Sequence, residues 1–385
     1  MKKIISIIIV FLSTILISNL NINKVSADEN IIKYSKSAVL IELETGKVLY
    51  EHNSYIKYEP ASMTKMMTMK LVLDAVKSKR ISMDDMITTS EYASKMGGSQ
   101  IFLSPGEKMK AQDLFKSMVI ASANDAAVSL AEAISGSEKF FVEQMNNEVK
   151  KLGLVNTNFS NATGLPTENH YSSSYDMAMI ARSLLLAYEE EVIPYSSCYE
   201  DYIRKDSENP FWLVNTNKLI KHIDGIDGLK TGWTEGAGYC LTCTKKQDGM
   251  RLISVVMGSD TVIHRTEDTL SLLNYGFNNF EVDVIYNKGD VIEVDSNLLL
   301  DPNKYHVVTS NSVYNIRNKN ESKSKITTEV EIYEDRINNL HKKKIGILKT
   351  YVDGNLLTTT DLELIEDTKR TSFINLLLKI LESIF

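Results

Sequence analysis

The chain has 385 residues, a formal net charge of −7, and 43% apolar and 24% charged residues. That length suits two domains rather than one, and that composition excludes a disordered or fibrous protein. The acidic balance also argues against nucleic acid as a partner, because such affinity comes largely from Lys and Arg on phosphates.

The N-terminus reads as an export signal. Lys2 and Lys3 precede an almost unbroken apolar run over residues 4–17, and Val25-Ser26-Ala27 offers small residues for cleavage. A permanent membrane helix fits less well, since the run is short and is followed by polar residues 21–24. Loss of residues 1–27 takes the net charge to −10, so a carboxylate-bearing substrate needs a local basic site. Two short strands, 37–42 and 47–50, then flank the turn Glu44-Thr45-Gly46 and form a hairpin signal. Residues 67–77 carry Met69, Leu71, Val72, Leu73, Ala75 and Val76 without Gly or Pro, which predicts a helix. Pro60-Ala61-Ser62-Met63-Thr64-Lys65 stands just before it. Helical positions three apart share a face, so Ser62 and Lys65 point the same way. Ser62 falls in the first turn, where unpaired N–H groups favour negative charge. A serine hydroxyl needs a neighbouring base to become a nucleophile. Lys65 fits that role if burial or a second cation keeps it partly neutral. Alone, S-x-x-K is common by chance.

Residues 87–103 are turn-rich around Gly97-Gly98, and Ser104-Pro105-Gly106-Glu107 is a turn. A helical pattern over 111–134 is interrupted near Ser122-Ala123-Asn124. Residues 140–152 form an amphipathic pattern ending at Gly153, and 174–188 form another with Ser174 or Asp176 as cap. After Gly225 the period becomes that of strands at 241–244 and 251–257, followed by a helix over 265–275. Strands, helices, then strands and a helix predict an α+β fold, an antiparallel sheet with helices packed on it. Three cysteines, Cys198, Cys240 and Cys243, argue against a disulfide scaffold. The C-x-x-C pair has no second pair and no nearby His, so it reads as buried strand rather than a zinc site. From residue 282 to 366 short alternating stretches, clearest at 291–294, 306–309 and 326–332, predict a small all-β domain. At the end, a helix over 373–385 would gather Asn375, Lys379, Glu382 and Ser383 on one arc and leave every other side chain apolar. Its reach of about 20 Å falls short of a hydrocarbon core of about 30 Å, so it is expected to lie in a membrane interface.

Two further motifs give S-x-x-K its meaning. Ser122-Ala123-Asn124 follows Ser62 by 60 residues, and Lys230-Thr231-Gly232 follows it by 168. S-x-x-K, S-x-N and K-T-G in that order are the signature of penicillin-binding proteins and class A β-lactamases. With Gly97-Gly98-Ser99, Pro105-Gly106-Glu107, Asn161-Ala162-Thr163-Gly164-Leu165 and Ala237-Gly238-Tyr239, the chain resembles the low-molecular-mass penicillin-binding proteins that act as D-alanyl-D-alanine carboxypeptidases. The resemblance runs from about residue 33 to the C-terminus.

The resemblance implies a penicillin-binding, β-lactamase-like catalytic domain over 28–278, a β-rich domain over 279–366 and a membrane-anchoring helix over 367–385. It implies that Ser62 attacks the carbonyl between two D-alanines, Lys65 takes its proton, and Ser122 relays a proton to the leaving amine. Asn124 holds substrate amides, and Lys230 lowers the pKa of Lys65. Thr231 and Arg265 meet the terminal carboxylate. Gly232 belongs to the same motif, and backbone N–H groups of Ser62 and Trp233 receive the oxyanion. Some relatives carry His where this chain has Trp233, and residues 259–264 also depart from the family pattern. No cofactor or metal is implied. The implied partners are a peptidoglycan stem ending in D-Ala-D-Ala, β-lactams as covalent inhibitors, and a membrane surface through residues 369–385. The implied location is the outer face of the bacterial cytoplasmic membrane, or the cell wall. His170 has no part in this chemistry and reads as structural, while Asp125 and Asp176 read as helix-capping groups. A class A β-lactamase would need a Glu-x-x-Leu-Asn segment between Asn124 and Lys230, and none is convincing. A DD-endopeptidase would use the same site. A β-lactam sensor would need a spanning segment after the signal peptide.

Overall fold

The computed structural model describes residues 31–294, 300–301, 305–333, 344–364, 369–370 and 372–382. The expected signal peptide therefore lies outside the described residues. The chain opens with β1 (Ser37–Glu42) and β2 (Val48–His52), a 3-10 turn at Ala61–Thr64, and helix α1 (Lys65–Lys77). There follow β3 (Met86–Thr88), α2 (Glu91–Ser94), β4 (Lys108–Lys110), α3 (Ala111–Ile120), α4 (Asn124–Ser135), α5 (Glu138–Lys151) and α6 (Ser174–Ser196). Then come β5 (Glu200–Ile203), β6 (Phe211–Val214), α7 (Leu219–His222), β7 (Ile226–Thr234), β8 (Gly238–Gln247), β9 (Met250–Ser259) and α8 (Val262–Asn279).

Five strands form an antiparallel sheet in the order β2-β1-β9-β8-β7, so chain-distant hairpins meet at the β1–β9 seam. Strand β1 is buried along its whole length: residues 37–41 are small or apolar, and the buried Glu42 carboxylate accepts the N–H groups of Glu44 and Thr45. One core fills the space between the sheet and helices α1, α3, α4 and α6, with Met66, Met69, Phe115 and Leu184 fully buried. A second lies under α8, where Leu40, Leu252 and Leu272 meet. A side chain at Gly276 would strike Leu252 and Leu40, so helix and sheet approach this closely only with glycine there.

The β-rich part follows α8 at once with β10 (Phe280–Tyr286), β11 (Val291–Val294), β12 (Leu300–Asp301), β13 (Tyr305–Thr309) and β14 (Val313–Asn318). It continues with β15 (Ile326–Ile332), β16 (Lys344–Val352), β17 (Asn355–Leu364) and β18 (Lys369–Arg370). A second five-stranded sheet, β11-β13-β17-β16-β15, has its own small core of Val307, Ile345, Leu348 and Leu362. Lys47 from the β1–β2 turn donates to the Ile316 carbonyl at 2.9 Å and ties the two parts together. Helix α9 (Phe373–Glu382) ends the described chain with Phe373, Ile374, Leu377 and Leu378 exposed. Among the described residues no helix is long and apolar enough to cross a membrane.

Several expectations need correction. The helix expected from residue 67 begins at Lys65, and Ser62 belongs to the tighter turn before it. Helix α6 runs on to Ser196 past a kink at Tyr188, capped by Ser173 rather than Ser174 or Asp176. Asp176 instead accepts the Asn156 N–H and the Thr157 hydroxyl. Asp125 accepts the Ile101 and Leu103 N–H groups as well as the adjacent Ala126 N–H, so it chiefly ties down a loop. K-T-G lies within β7, an edge strand added to the expected strands at 241–244 and 251–257. The small hairpins β3–β4 and β5–β6 had no clear alternation to announce them.

Asp268 of α8 pins the start of the fold, accepting the N–H groups of Lys33, Tyr34 and Ser35 and the Ser35 hydroxyl. Hydrogen bonds to a charged group are worth roughly 1.5–3 kcal/mol each. Asp268→Ala should therefore cost about 3 kcal/mol or more in urea unfolding, whereas Asp260→Ala, at an exposed pair with His264, should leave the midpoint nearly unchanged.

Candidate active site

The site is assembled where the 3-10 turn is squeezed between two backbones. Ala61 has φ +47°, a left-handed conformation that is costly for a residue with a side chain. A Cβ on Gly164 would fall 1.8 Å from the Ala61 carbonyl oxygen. On the other side, a Cβ on Gly232 of β7 would lie 2.9 Å from the Pro60 oxygen and 3.3 Å from the Ser62 nitrogen. Glycine at both places lets loop and strand close on the serine. The over-determined turn holds Ser62 where α1 begins.

Lys65 is fully buried, with Nζ 3.1 Å from Ser62 Oγ, 2.6 Å from Asn124 Oδ1 and 2.7 Å from the Thr163 carbonyl oxygen. Asn124 Nδ2 donates to the Gly97 carbonyl at 2.7 Å. The Asn124 carbonyl is thus committed to Lys65, and its role toward a substrate amide narrows to what remains of its N–H₂ group. Ser122 has φ +63°, and its buried Oγ has no hydrogen-bond partner. Ala61, next to Ser62, and Ser122, two residues before Asn124, therefore both hold rare backbone conformations, a pattern typical of functional sites.

Lys230 is also buried, and its Nζ donates to the Thr231 carbonyl at 3.2 Å. Burial holds Lys230 down at about 7. Lys65 is held well below its ordinary value by burial and then by the like charge of Lys230, with Asp125 opposing. Both effects favour the neutral amine, the form able to take a proton.

Thr231 Oγ1 donates to Thr216 Oγ1 at 2.7 Å. Arg265 lies in the first turn of α8, the helix packed on β8 and β9. It is buried, with Nε unpartnered and no ion pair to a carboxylate among the described residues. Trp233 is exposed. Cys240 and Cys243 are buried free thiols, and burial pushes Cys240 up to about 11 and Cys243 higher still. Among the described residues no group of three His, Cys, Asp or Glu side chains could hold a metal.

Three contributors escaped the reading of side-chain motifs: the carbonyls of Gly97 and Thr163, and the hydroxyl of Thr216. Backbone acceptors carry no residue signature. The stretches around Gly97 and Thr163 were marked only by resemblance, and Thr216 by nothing. His170 completes the floor. Its Nδ1 accepts the Ser160 N–H at 3.0 Å, which leaves Nε2–H to donate to Thr64 Oγ1 at 2.8 Å.

An α+β fold with a serine, a buried lysine and a K-T-G edge strand defines an acyl-transferring serine hydrolase of the penicillin-binding type. A family model described as D-alanyl-D-alanine carboxypeptidase matches residues 23–261. The carboxypeptidase DacF of Bacillus subtilis is 42% identical over 344 residues, 89% of this chain and 88% of that protein. Penicillin binding protein 5 from Haemophilus influenzae superposes with a TM-score of 0.71 at 32% identity, covering 87% of this chain and 97% of its own. Penicillin-binding protein D2 of Listeria monocytogenes, solved in an ampicillin-bound form, aligns with 63% of this chain and 97% of its own, with a TM-score of 0.57 and 32% identity. The chain belongs to the low-molecular-mass penicillin-binding proteins and is a serine-type D-alanyl-D-alanine carboxypeptidase.

Burial, then the charge of Lys65, lowers His170 to about 4. An unfolded histidine protonates near 6.5, so between about 6.5 and 4 the unfolded chain takes up a proton that the folded chain refuses. Stability is full above that window and falls through it as pH drops, by about 3 kcal/mol. The melting temperature of the wild type should therefore fall more steeply from pH 7 to 4.5 than that of His170→Asn. Parallel curves would show that His170 is not the group responsible.

Proposed function

We propose that Ser62 removes the terminal D-alanine of a peptidoglycan stem through an acyl-enzyme. The observation that carries this reading is the fully buried Lys65 Nζ at 3.1 Å from Ser62 Oγ, with a second buried lysine lowering its pKa. Neutral Lys65 takes the hydroxyl proton as Oγ attacks the carbonyl of the penultimate D-alanine. The N–H groups of Ser62 and Trp233, neighbours because Gly232 packs on the Ser62 nitrogen, receive the oxyanion. As the tetrahedral intermediate collapses, the unpartnered Ser122 hydroxyl passes a proton from Lys65 to the departing amine, and D-alanine leaves. Water, deprotonated at Lys65, then hydrolyses the ester and restores Ser62. Asn124 orients Lys65 and offers its amide to the stem. Lys230 and Arg265 supply the local positive field that an acidic protein needs in order to hold a carboxylate, and Thr231 offers it a hydroxyl. This chemistry uses only side chains, backbone N–H groups and water.

A β-lactam presents the same kind of carbonyl, so it would acylate Ser62 and block the site. The exposed apolar residues of α9 support a helix lying in a membrane interface. With the export signal, they support a reading in which the catalytic domain (28–278), the β-rich domain (279–366) and the anchoring segment (367–385) work on the outer face of the cytoplasmic membrane, at the cell wall.

The purified protein should release D-alanine from a pentapeptide ending in D-Ala-D-Ala and take up a fluorescent penicillin covalently. Ser62→Ala should lose both, and a variant that kept either would sink the reading. Because Lys65 must be neutral to act, kcat/KM should climb with pH through its acid limb. Lys230→Gln removes the like charge that keeps Lys65 deprotonated. Its acid limb should therefore move to higher pH, with kcat/KM at pH 7 reduced at least about tenfold.

A further inference from the structure

The K-T-G strand carries one large side chain with no part in the chemistry above. Trp233 is 58% exposed, although the four residues before it on β7 are buried. Its register partner on β8 is Tyr239, whose own partner on β9 is Ser259, so the three form a row on one face of the sheet. The two rings lie 6.0 Å apart at 38°. Thr231, two residues before Trp233, shares that face of β7.

The same end of the sheet leads into α8. Thr261 follows Ser259 by two residues and caps α8 by accepting the His264 N–H, and Arg265 sits in the first turn. Arg265 is 5% exposed and lacks a carboxylate partner among the described residues. A buried cation without a counter-charge is costly unless an anion arrives to share the site. The carboxylate slot that the family resemblance assigns to Thr231 and Arg265 then lies on the face of the sheet that carries Trp233 and Tyr239. The leaving residue must lie between the oxyanion donors and this slot, because Gly232 fixes the Trp233 backbone against Ser62.

We propose that the Trp233 indole, braced by Tyr239, is a lid on the leaving-group side of the cleft. It admits one small D-residue bearing a free carboxylate and excludes larger or extended leaving groups. This selectivity makes the enzyme an exopeptidase rather than a cutter of cross-links. The proposal rests on the Ser62 acyl-enzyme reading and adds to it the leaving-group specificity.

The test compares kcat/KM for three synthetic peptides with the full-length protein. One ends in D-Ala-D-Ala, one in D-Ala-D-Leu, and one carries a glycine after the second D-alanine. The wild type should prefer the first over both others by about 100-fold, since pocket fit is worth about 10–200-fold for small changes in side chain. Trp233→Ser should narrow the preference over D-Ala-D-Leu by at least about tenfold. Tyr239→Ala, which leaves the indole present but unbraced, should narrow it by less. The readout is the ratio between substrates, which a general loss of folding or acylation would not move. Unchanged ratios in both variants, or a wild type indifferent to the leaving residue, would overturn the lid. Failure of the wild type to release D-alanine from any peptide would instead overturn the Ser62 reading, and the lid with it.

Discussion

A lysine removed from water, with a second lysine close enough to oppose its charge, is the constraint on which this structure depends. Lys65 and Lys230 come from elements 165 residues apart, α1 and β7, and both are buried. Left charged, the pair would be costly to bury, so the fold favours a neutral amine within reach of the Ser62 hydroxyl. Three oxygens around Lys65 Nζ keep the amine aimed. The same burial that keeps the amine neutral, and so able to take a proton at moderate pH, also fixes its position. Reactivity and order have one origin.

Around that pair the backbone is built to tolerate unusual approach. Gly164 and Gly232 remove the side chains that would hold loop and strand away from the serine, and Ala61 and Ser122 accept left-handed conformations. Asp125 holds the loop whose Gly97 carbonyl steadies Asn124, and Asn124 steadies Lys65. Each hydrogen bond is modest. The chain of them makes Ser62 and Lys65 a rigid unit set against a sheet edge. The β-rich part contributes none of these groups. It has its own core and touches the catalytic part through contacts such as that of Lys47.

Much of the site was legible because its parts are local. Ser62 and Lys65 are three apart, a spacing that a helical turn converts directly into proximity. The break at Ser122-Ala123-Asn124 could be seen as a fault in a helical pattern, and the hairpin β1–β2 as two short strand-like runs flanking a Gly turn. Helix α6 was expected only to residue 188, and the chain does leave helical geometry at Tyr188, yet it resumes and runs through Pro194 to Ser196. The short hairpins β3–β4 and β5–β6 were missed because three or four residues are too few to show a period.

The sequence by itself determined the fold class and the order of the main elements, which follow from periodicity, and its three motifs together marked Ser62 and Lys65 as the candidate nucleophile and base. The tertiary structure alone decided which backbone oxygens hold Lys65, that Asn124 serves the lysine, and that K-T-G lies within an edge strand pressed on the serine. It alone set Arg265 on the helix packed on β8 and β9, and Trp233 against Tyr239. These depend on sheet register and on helices meeting across a shared core, where the energy lies in contacts between residues far apart in the chain, and no local pattern records which partners will meet.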